Sequence, residues 1–247
     1  MTQPSITVHQ FPPFLQMQPS PFGLKLETWL RMKQIPYDIQ MSFTKVGPKD
    51  KIPFANINGE VIGDSEIIID RLLHLGEAAE SDDLSEEQKA KGILIRRMVE
   101  EHMYFVLMHS RWVDDTGWTV FGPMVFSHIP GLIRPFLSKK IRKIVKKNLW
   151  AQGISRHSDA EIYEKGARDI KALSALLGES DYFLAEKPGI ADASAYGLLA
   201  NILYAPLNSP LKKTLQSCSN LLAFCDRMRS EFWPESPRGG GEASKAV

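Results

Sequence analysis

The stretch KIPFANINGEVIGDS, residues 51–65, carries the pattern that decides the fold. Residues 52–57 form a β-rich run, and residues 60–62 form a second, shorter one. Between them stands Asn58-Gly59, the dipeptide that most strongly signals a tight turn between antiparallel strands. Ser65 then begins a run with apolar residues at helical spacing. The stretch therefore predicts a β-hairpin that leads directly into a helix.

The residues before this hairpin add the rest of a small sheet. Residues 6–11 form a β-rich run, and residues 22–32 place apolar side chains on one helical face. Residues 37–41 alternate apolar and polar side chains, as in a half-buried strand. Read in chain order, the elements are β-α-β-loop-β-β-α. This order predicts a small α/β unit with one parallel strand pair and one antiparallel hairpin.

The sequence changes character after this unit. Residues 77–84 are rich in Glu, Ala, Ser and Asp, which predicts a linker, and the patterns beyond it are helical. Ser85 with Gln88 is a capping-box pair that starts a long helix, which we expect to end near Trp112. A second such pair, Ser158 with Glu161, begins another helix.

The 247 residues leave room for two small domains. We expect an α/β domain over residues 1–78 and an all-helical domain over residues 85–235. Residues 236–247 are rich in Gly, Ala and Ser, and we expect them to be a disordered tail.

Composition excludes several classes of function. Lys plus Arg number 30 and Asp plus Glu 29, and a net charge of +1 gives no global field to hold a nucleic acid. Cys218 and Cys225 have neither CxxC spacing nor a partner histidine, so we expect no disulfide and no metal site. The polar N-terminus and the early prolines are unlike a secretory signal, which favours a cytoplasmic protein.

One local cluster departs from this charge balance. Residues 139–147 contain six Lys or Arg side chains, and they follow an apolar stretch, residues 119–137, that several Pro and Gly residues interrupt. A membrane-spanning helix tolerates few such breaks, so we expect an irregular connector followed by a basic helix. Weak contact of residues 139–147 with a membrane surface is one interpretation, and a solvated basic face is the other.

A first candidate site lies where the loop before residue 22 meets the first predicted helix. Ser20-Pro21-Phe22-Gly23 stands there, and a helix N-terminus presents unpaired N–H groups that stabilise an anion such as a thiolate. A serine hydroxyl at this point can donate a hydrogen bond to a ligand thiolate. The alternative is an ordinary helix cap, which Ser followed by Pro also explains.

Two further motifs flank the hairpin. In Lys51-Ile52-Pro53, a cis peptide bond before the proline would turn the Ile52 backbone toward a peptide-like ligand. In Asp64-Ser65, the carboxylate can pair with an ammonium group, and the serine hydroxyl and N–H can bind a carboxylate. Together they suit the α-amino acid end of a ligand, although Asp64 and Ser65 can also serve only as a helix cap.

The element order and these motifs resemble the glutathione transferase fold, an α/β thioredoxin-like N-terminal domain plus an all-α C-terminal helical domain. Ser20-Pro21-Phe22-Gly23 stands where thiol-class members have C-P-[FY]-C. Lys51-Ile52-Pro53 resembles the family's [QKN]-[VIL]-P, and Asp64-Ser65 resembles its [EQD]-S pair. Asp192 matches the acidic half of the [ST]-x-x-D capping box, while Gly189 lacks the hydroxyl half.

A more specific resemblance is to the failed axon connections branch, which is related to metaxins. It covers residues 6–235 and is carried by four segments: residues 20–31, Met98-Val99-Glu100-Glu101-His102, Arg111-Trp112-Val113-Asp114 and Phe232-Trp233-Pro234-Glu235.

This resemblance implies a glutathione transferase-like enzyme that conjugates the glutathione thiolate to a small electrophile. Asp64 and Ser65 would hold the γ-glutamyl end, the Ile52 backbone before Pro53 would pair with the cysteinyl part, and Lys51 would meet the glycyl carboxylate. Ser20 would stabilise the thiolate. The wall of the second-substrate pocket, between the domains, is expected to include Tyr104, His109 and Trp112.

The departures from the family pattern leave other functions open. Ser20 and Gly23 replace both cysteines, so mixed-disulfide and dithiol chemistry is not expected. One alternative is a non-catalytic module of the same fold for protein or membrane-surface contact, and another is glutathione storage without turnover. Resemblance to the transferases also implies a homodimer, whereas the electrophile stays unnamed.

Overall fold

The computed structural model describes residues 4–15, 17–78 and 84–235 of the chain. Within them a four-stranded sheet has the order β2-β1-β3-β4. The strands are β1 (Ile6–Gln10), β2 (Asp38–Met41), β3 (Phe54–Ile57) and β4 (Glu60–Gly63). β1 runs parallel to β2 and antiparallel to β3, and β3 and β4 form the hairpin. The parallel pair and the hairpin that the sequence predicts are both present.

Two helices pack on one face of this sheet, α1 (Pro21–Met32) and α2 (Ser65–His74). Their apolar side chains at helical spacing, such as Leu26 and Ile68, meet the inward side chains of β1, such as Val8. The alternation of strand side chains therefore buries one face of the sheet beneath two helices. Ser20 caps α1 and Asp64 caps α2, as each motif allows.

Helices make up the regular secondary structure of the described residues after the sheet. They are α3 (Glu86–Met98), α4 (Tyr104–Trp112), α5 (Asp115–Val125), α6 (Arg134–Gln152), α7 (Asp159–Leu177), α8 (Ile190–Leu203), α9 (Pro210–Gln216) and α10 (Ser219–Phe232). α8 is buried along nearly its whole length and forms the centre of this helical domain. The two capping boxes predicted before α3 and α7 are both formed.

The helical region differs from the sequence prediction in two places. The predicted helix from residue 85 to Trp112 contains a π-helical turn, Val99–Met103, which joins α3 to α4. The prediction of an irregular connector over residues 119–137 is wrong for residues 119–125, which belong to α5. Asp114 caps the start of that helix, and Pro123 lies in its last turn. Pro135 lies in the first turn of α6, where a proline is tolerated.

Two predicted segments lie wholly or partly outside the described residues. The expected tail, residues 236–247, and residues 79–83 of the predicted linker are not described. The domain boundaries at 78 and 85 therefore stay predictions. None of the helices in the described ranges is both long and apolar enough to cross a membrane.

α1 and α8 form the main contact between the two domains. A Cβ at Gly197 of α8 would lie only 2.5 Å from the carbonyl oxygen of Pro21, so this close approach requires glycine. Beside it, Lys25 donates from Nζ to Oε1 of Glu100 over 2.6 Å, and Ser194 donates its hydroxyl to the same oxygen over 2.7 Å. All three side chains are buried. A hydrogen-bonded ion pair therefore fixes α1 against the helical domain.

Candidate functional site

A pocket of about 380 Å³ opens between the sheet domain and the π turn that leads into α4. The hairpin side of its wall carries the two motifs that flank β3 and β4. The opposite wall carries side chains of the long helix. The lining residues from the two motifs and the helix are Lys51, Ile52, Pro53, Asp64, Ser65, Glu100, Glu101, Tyr104 and Phe105.

The Ile52–Pro53 peptide bond is cis, as the motif allows. Pro53 directly precedes β3, and β3 is a central strand held between β1 and β4. Both Ile52 and Pro53 line the pocket. The bend at Ile52 and Pro53 is therefore held against the pocket by a central strand of the sheet.

Lys51 and Asp64 form an ion pair on the hairpin side of this pocket. Lys51 Nζ donates to Asp64 Oδ2 over 2.8 Å, and Asp64 Oδ1 accepts the backbone N–H of Glu66 at the start of α2. Burial alone would raise the pKa of the Asp64 carboxyl, but these two hydrogen bonds outweigh it and hold the pKa below its usual value. The hydrogen bond to Asp64 raises the pKa of Lys51. Both groups are therefore ionised near neutral pH.

The pocket wall is more acidic than the two motifs alone indicate. Asp50, Glu66, Glu100 and Glu101 line it together with Asp64. Glu66 accepts from the guanidinium groups of Arg96 and Arg97, and Glu100 accepts from Lys25. Glu100 and Glu101 belong to the Met98-Val99-Glu100-Glu101-His102 segment, but that segment does not by itself indicate a pocket wall, which forms only when the π turn is placed against α2. The π turn holds Glu100 and Glu101 at the pocket, and such turns are frequent at functional sites.

Ser20 caps the N-terminus of α1. It is 9% exposed, and its hydroxyl oxygen accepts the backbone N–H of Gly23 over 3.2 Å. Phe22, in the first turn of the same helix, lines the pocket, whereas Ser20 does not belong to the lining. Ser20 therefore caps α1. Its hydroxyl group accepts in that hydrogen bond, so its own proton takes no part in it.

Arg111 holds the loop that positions Ser20, a role that sequence reasoning missed. Its guanidinium donates to the carbonyl oxygen of Pro19 over 2.8 Å and to the carbonyl and side-chain oxygens of Asn201 over 3.0 and 2.8 Å. Asn201 in turn donates to the carbonyl oxygen of Gln18. Burial lowers the pKa of Arg111 to about 10. In the sequence, only the Arg111-Trp112-Val113-Asp114 segment drew attention to Arg111, and it did not indicate which residues Arg111 contacts.

The long helix places the three expected wall residues in different surroundings. Tyr104 lines the pocket, and its ring lies 4.8 Å from that of Phe22. His109 does not reach the pocket: it is 2% exposed, and its ring nitrogens bond to Asp159 and Ser155. Trp112 also lies away from the pocket.

The placement of His109 and Trp112 corrects the expected pocket wall. Trp112 packs instead against Trp118, Phe121 and Phe126 in a separate aromatic cluster. Five residues of α-helix turn a side chain by about 140°, so His109 points away from the face of Tyr104. Trp112 is eight residues further along, a rise of about 12 Å.

No group of three or more His, Cys, Asp or Glu side chains in the described ranges could hold a metal ion. The pocket lining itself presents one ammonium group, several carboxylates, a serine at a helix start and aromatic rings. Such a set can bind a zwitterionic, peptide-like ligand through both of its charges.

Comparisons with known proteins agree with this geometry. A family model of the glutathione S-transferase N-terminal domain matches residues 21–117, and a model of the C-terminal domain matches residues 166–228. A β-etherase structure from Sphingobium sp. strain SYK-6 superposes with a TM-score of 0.67. The superposition covers 94% of this chain and 100% of that one, at 15% identity, and shows the fold alone.

Three curated relatives cover most of this chain. Failed axon connections of Drosophila melanogaster is 31% identical over 231 residues, which span 87% of this chain and 55% of that protein. Isoprene-epoxide–glutathione S-transferase of a Rhodococcus species is 28% identical, over 86% of this chain and 92% of its own. Human metaxin-2 is 26% identical, over 88% of this chain and 84% of its own.

The sheet with its cis-proline, the helical domain and the pocket between them define a protein of the glutathione transferase fold. The chain belongs to the glutathione S-transferase family, and its relatives include Failed axon connections and the metaxins. It spans about half the length of the Drosophila relative.

Proposed function

We propose that the pocket binds glutathione and that the chain conjugates the glutathione thiolate to a small electrophile. The observation that carries this proposal is the convergence of Lys51, Ile52, Pro53, Asp64 and Ser65 on one pocket. These residues come from two motifs more than ten positions apart, and nothing in either motif alone requires the two to meet at one pocket. A ligand with an amino acid end, a peptide link and a second carboxylate matches their spacing and charge.

The γ-glutamyl end of glutathione carries both an ammonium and a carboxylate group. Asp64 supplies the negative partner for the ammonium, and the acidic wall that includes Glu101 favours the same charge. Ser65 begins α2, where the helix N-terminus favours the carboxylate. In this arrangement Lys51 exchanges part of its contact with Asp64 for the glycyl carboxylate.

The thiol of glutathione would then approach the N-terminus of α1, on the side of Phe22. There the partial positive charge of the helix and the hydroxyl proton of Ser20 would favour the thiolate over the thiol, whose free pKa is about 8.5. The thiol proton leaves to water. The thiolate sulfur forms a bond to an electrophilic carbon, and the electron pair of the broken bond goes to the leaving atom.

The electrophile would lie along the aromatic wall of the pocket, formed by Phe11, Phe22, Tyr104 and Phe105. These rings offer an apolar surface beside the expected position of sulfur. The Rhodococcus relative is named for an epoxide substrate, so a small epoxide is the first electrophile to test. Attack on an epoxide carbon opens the C–O bond, and the resulting alkoxide takes a proton from water.

Calorimetric titration with glutathione tests the binding step. We expect saturable binding by the wild type and a loss of roughly tenfold in affinity for Asp64→Asn, because a charged hydrogen bond is worth about 1.5–3 kcal/mol. Asp38→Asn, on the exposed edge strand β2, is the matched control and should bind as the wild type does. Equal affinity for both variants would refute the assigned pocket.

Ser20 variants test the chemical step. Ser20→Thr keeps the hydroxyl and should retain conjugation, whereas Ser20→Ala should lower the conjugation rate without a matching loss of glutathione affinity. Ser20→Ala also removes the cap of α1, at a cost of about 1 kcal/mol, so unfolding is measured in parallel. Equal rates for the two variants would remove Ser20 from the mechanism.

A non-catalytic module for protein or membrane-surface contact is the second candidate. Two observations favour it: the Ser20 side chain does not line the pocket, and Lys51 and Asp64 already neutralise each other. Metaxin-2 is also among the relatives. This candidate predicts no thermal shift with millimolar glutathione, whereas a storage protein would show the shift but no turnover of any electrophile.

We also propose a cytoplasmic location and a homodimer. Cys218 and Cys225 are free and buried, which suits a reducing compartment where glutathione is abundant. Sedimentation at micromolar concentration checks the dimer, and cell fractionation checks the location.

A further inference from the structure

We propose that the exposed face of α6, together with the turn before it, docks onto an anionic lipid bilayer. The surface lies apart from the pocket and does not depend on glutathione binding. We call it the α6 surface and define it by its exposed apolar and basic side chains. They are Leu132, Ile133, Phe136, Lys139, Lys140, Lys143, Ile144, Lys146, Lys147 and Trp150.

The charge of this region has one sign. From residue 116 to residue 158 the sequence contains no Asp or Glu and eight Lys or Arg side chains, in a chain whose net charge is only +1. The basic residues are Arg134, Lys139, Lys140, Arg142, Lys143, Lys146, Lys147 and Arg156. Within the described part of the chain, no salt bridge engages any of the five lysines among them. Their charge is therefore available to an external anionic surface.

Large apolar side chains beside these lysines are mostly exposed to solvent. Leu132, in the turn before α6, is 98% exposed. Phe136, in the first turn of α6, is 77% exposed. Trp150, near the other end of the helix, is 58% exposed. Phe136 and Trp150 are 14 residues apart, which places them on one face about 21 Å from each other. Lysine stems and aromatic rings arranged in this way suit the boundary between lipid headgroups and acyl chains.

The opposite face of α6 explains why this surface is held outward. Leu137, Ile141, Val145 and Leu149 recur every four residues, and they pack against the aromatic cluster or the helical core. The helix is thus amphipathic, with one face committed to the protein interior and the other left without a partner in the described chain.

Two arginines fix the position of the surface. Arg142 donates to the carbonyl oxygens of Trp112 and Val113 and to Asp115, which ties α6 to the ends of α4 and α5. Arg134 donates to the carbonyl oxygens of Ser127 and Ile129, which closes the turn that carries Leu132. The two arginines serve the fold, and the lysines between and beyond them do not.

A bilayer fits this combination better than another polyanion. A nucleic acid would bind the lysines through its phosphates but would leave Leu132 and Phe136 in water. An acidic protein would satisfy both features only with its own exposed apolar patch. An anionic membrane supplies headgroup charge for the lysines and hydrocarbon for the apolar side chains at the same surface. No helix of the described chain can span that membrane, so the contact is peripheral.

Vesicle co-sedimentation of the full chain tests the proposal. The vesicles are phosphatidylcholine, either alone or with about one third phosphatidylserine, a composition that sets a negative surface potential. We expect binding to the anionic vesicles, and binding that weakens as salt is raised. Equal partitioning onto neutral and anionic vesicles, or onto neither, would overturn the proposal.

Matched triple variants separate this surface from net charge. Lys140→Gln, Lys143→Gln and Lys147→Gln remove three charges from the α6 surface, and each lysine near a membrane is worth about fivefold, so binding should fall on the order of 100-fold. Lys171→Gln, Lys187→Gln and Lys213→Gln remove three exposed charges elsewhere and should leave binding nearly unchanged. Equal loss in both triple variants would show that charge, and not this surface, is responsible.

A third variant tests the apolar part of the contact. Leu132→Ser with Phe136→Ser keeps every lysine and should weaken vesicle binding by roughly tenfold or more, because two exposed apolar side chains no longer enter the membrane boundary. Unchanged vesicle binding by this variant would overturn the assignment to lipid. The assignment would also fail if the lysine triple variant lost binding to single-stranded RNA but kept its binding to vesicles. All of these side chains are exposed, so circular dichroism should show unchanged folding.

Discussion

The pocket and the α6 surface both concentrate charged side chains, but most of those at the pocket are paired within the protein and the lysines of the α6 surface, in the described part of the chain, are not. In and beside the pocket, Lys51 pairs with Asp64, Lys25 with Glu100, and Arg96 and Arg97 with Glu66. On the α6 surface the lysines form no salt bridge within the described chain. Charges in the first region are therefore part of the folded structure, and a ligand must compete for them. Charges in the second region cost the fold nothing and are open to a partner.

This comparison predicts its largest effect at the buried pair. Lys25→Met should lower the free energy of unfolding by about 3–5 kcal/mol, because it leaves the Glu100 carboxylate buried without its cation. Lys143→Met, the same change on the α6 surface, should fall within about 0.5 kcal/mol of the wild type. Chemical denaturation of the two variants measures the difference. Similar losses would mean that the two regions do not differ as described.

A second variant tests charge that is buried without a carboxylate partner. Arg111→Leu leaves the oxygens of Pro19 and Asn201 without their donor, so we expect a loss of about 3 kcal/mol in unfolding free energy. Arg111 also holds the loop before Ser20. The variant should therefore show faster proteolysis within residues 12–20 than the wild type, and unchanged cleavage there would contradict that role.

The pH dependence of folding sharpens the comparison for a carboxylate that has no cation. Burial raises the pKa of Asp192 from 3.8 to about 6, although the backbone N–H groups of Phe183 and Gly189 partly oppose this shift. The folded chain therefore holds this proton more tightly than the unfolded chain. As pH rises from the lower pKa to the higher one, this group removes stability, up to about 3 kcal/mol.

The matched variant for this pH effect is Asp192→Asn, which does not titrate. Denaturation curves over that pH window should show the wild type losing stability relative to Asp192→Asn as pH rises. Parallel pH profiles for the two chains would show that Asp192 does not keep its proton in the folded state.

The local signals in the sequence predicted much of the fold. Asn58-Gly59 located the hairpin, and Ser85 with Gln88 located the start of α3, because turns and caps depend on neighbouring residues. α5 was missed because Gly122 and Pro123 disfavour a helix when only neighbouring residues are considered. In the structure Asp114 caps the start of α5, and Pro123 lies in its last turn.

The candidate site was predictable only where a motif lies beside the pocket. Lys51-Ile52-Pro53 and Asp64-Ser65 reached the same pocket, since each directly flanks the hairpin. His109 and Trp112 were placed wrongly, because a periodicity shows which residues share a face but not which face meets the ligand. The segment that includes Glu101 was recognised, but it gave no orientation for that side chain, and the π turn shifts the helical phase there. Arg111 needed partners about 90 positions away.

The exposed pair in the pocket gives the smallest expected effect on folding. Lys51→Met removes the cation of an accessible ion pair, so unfolding free energy should change by less than about 1 kcal/mol. Glutathione affinity should nevertheless fall, because the glycyl carboxylate loses its partner. A large loss of stability, or unchanged glutathione affinity, would place Lys51 among the structural charges instead of the ligand-binding ones.

A crystal structure obtained after soaking with glutathione tests the central claim most directly. We expect the γ-glutamyl group beside Asp64 and Ser65, the peptide link along Ile52 and Pro53, and the sulfur at the N-terminus of α1 near Ser20. We also expect Lys51 to move from Asp64 toward the glycyl carboxylate. Glutathione bound elsewhere, or a pocket that stays empty at millimolar glutathione with the Lys51–Asp64 pair intact, would contradict the central claim.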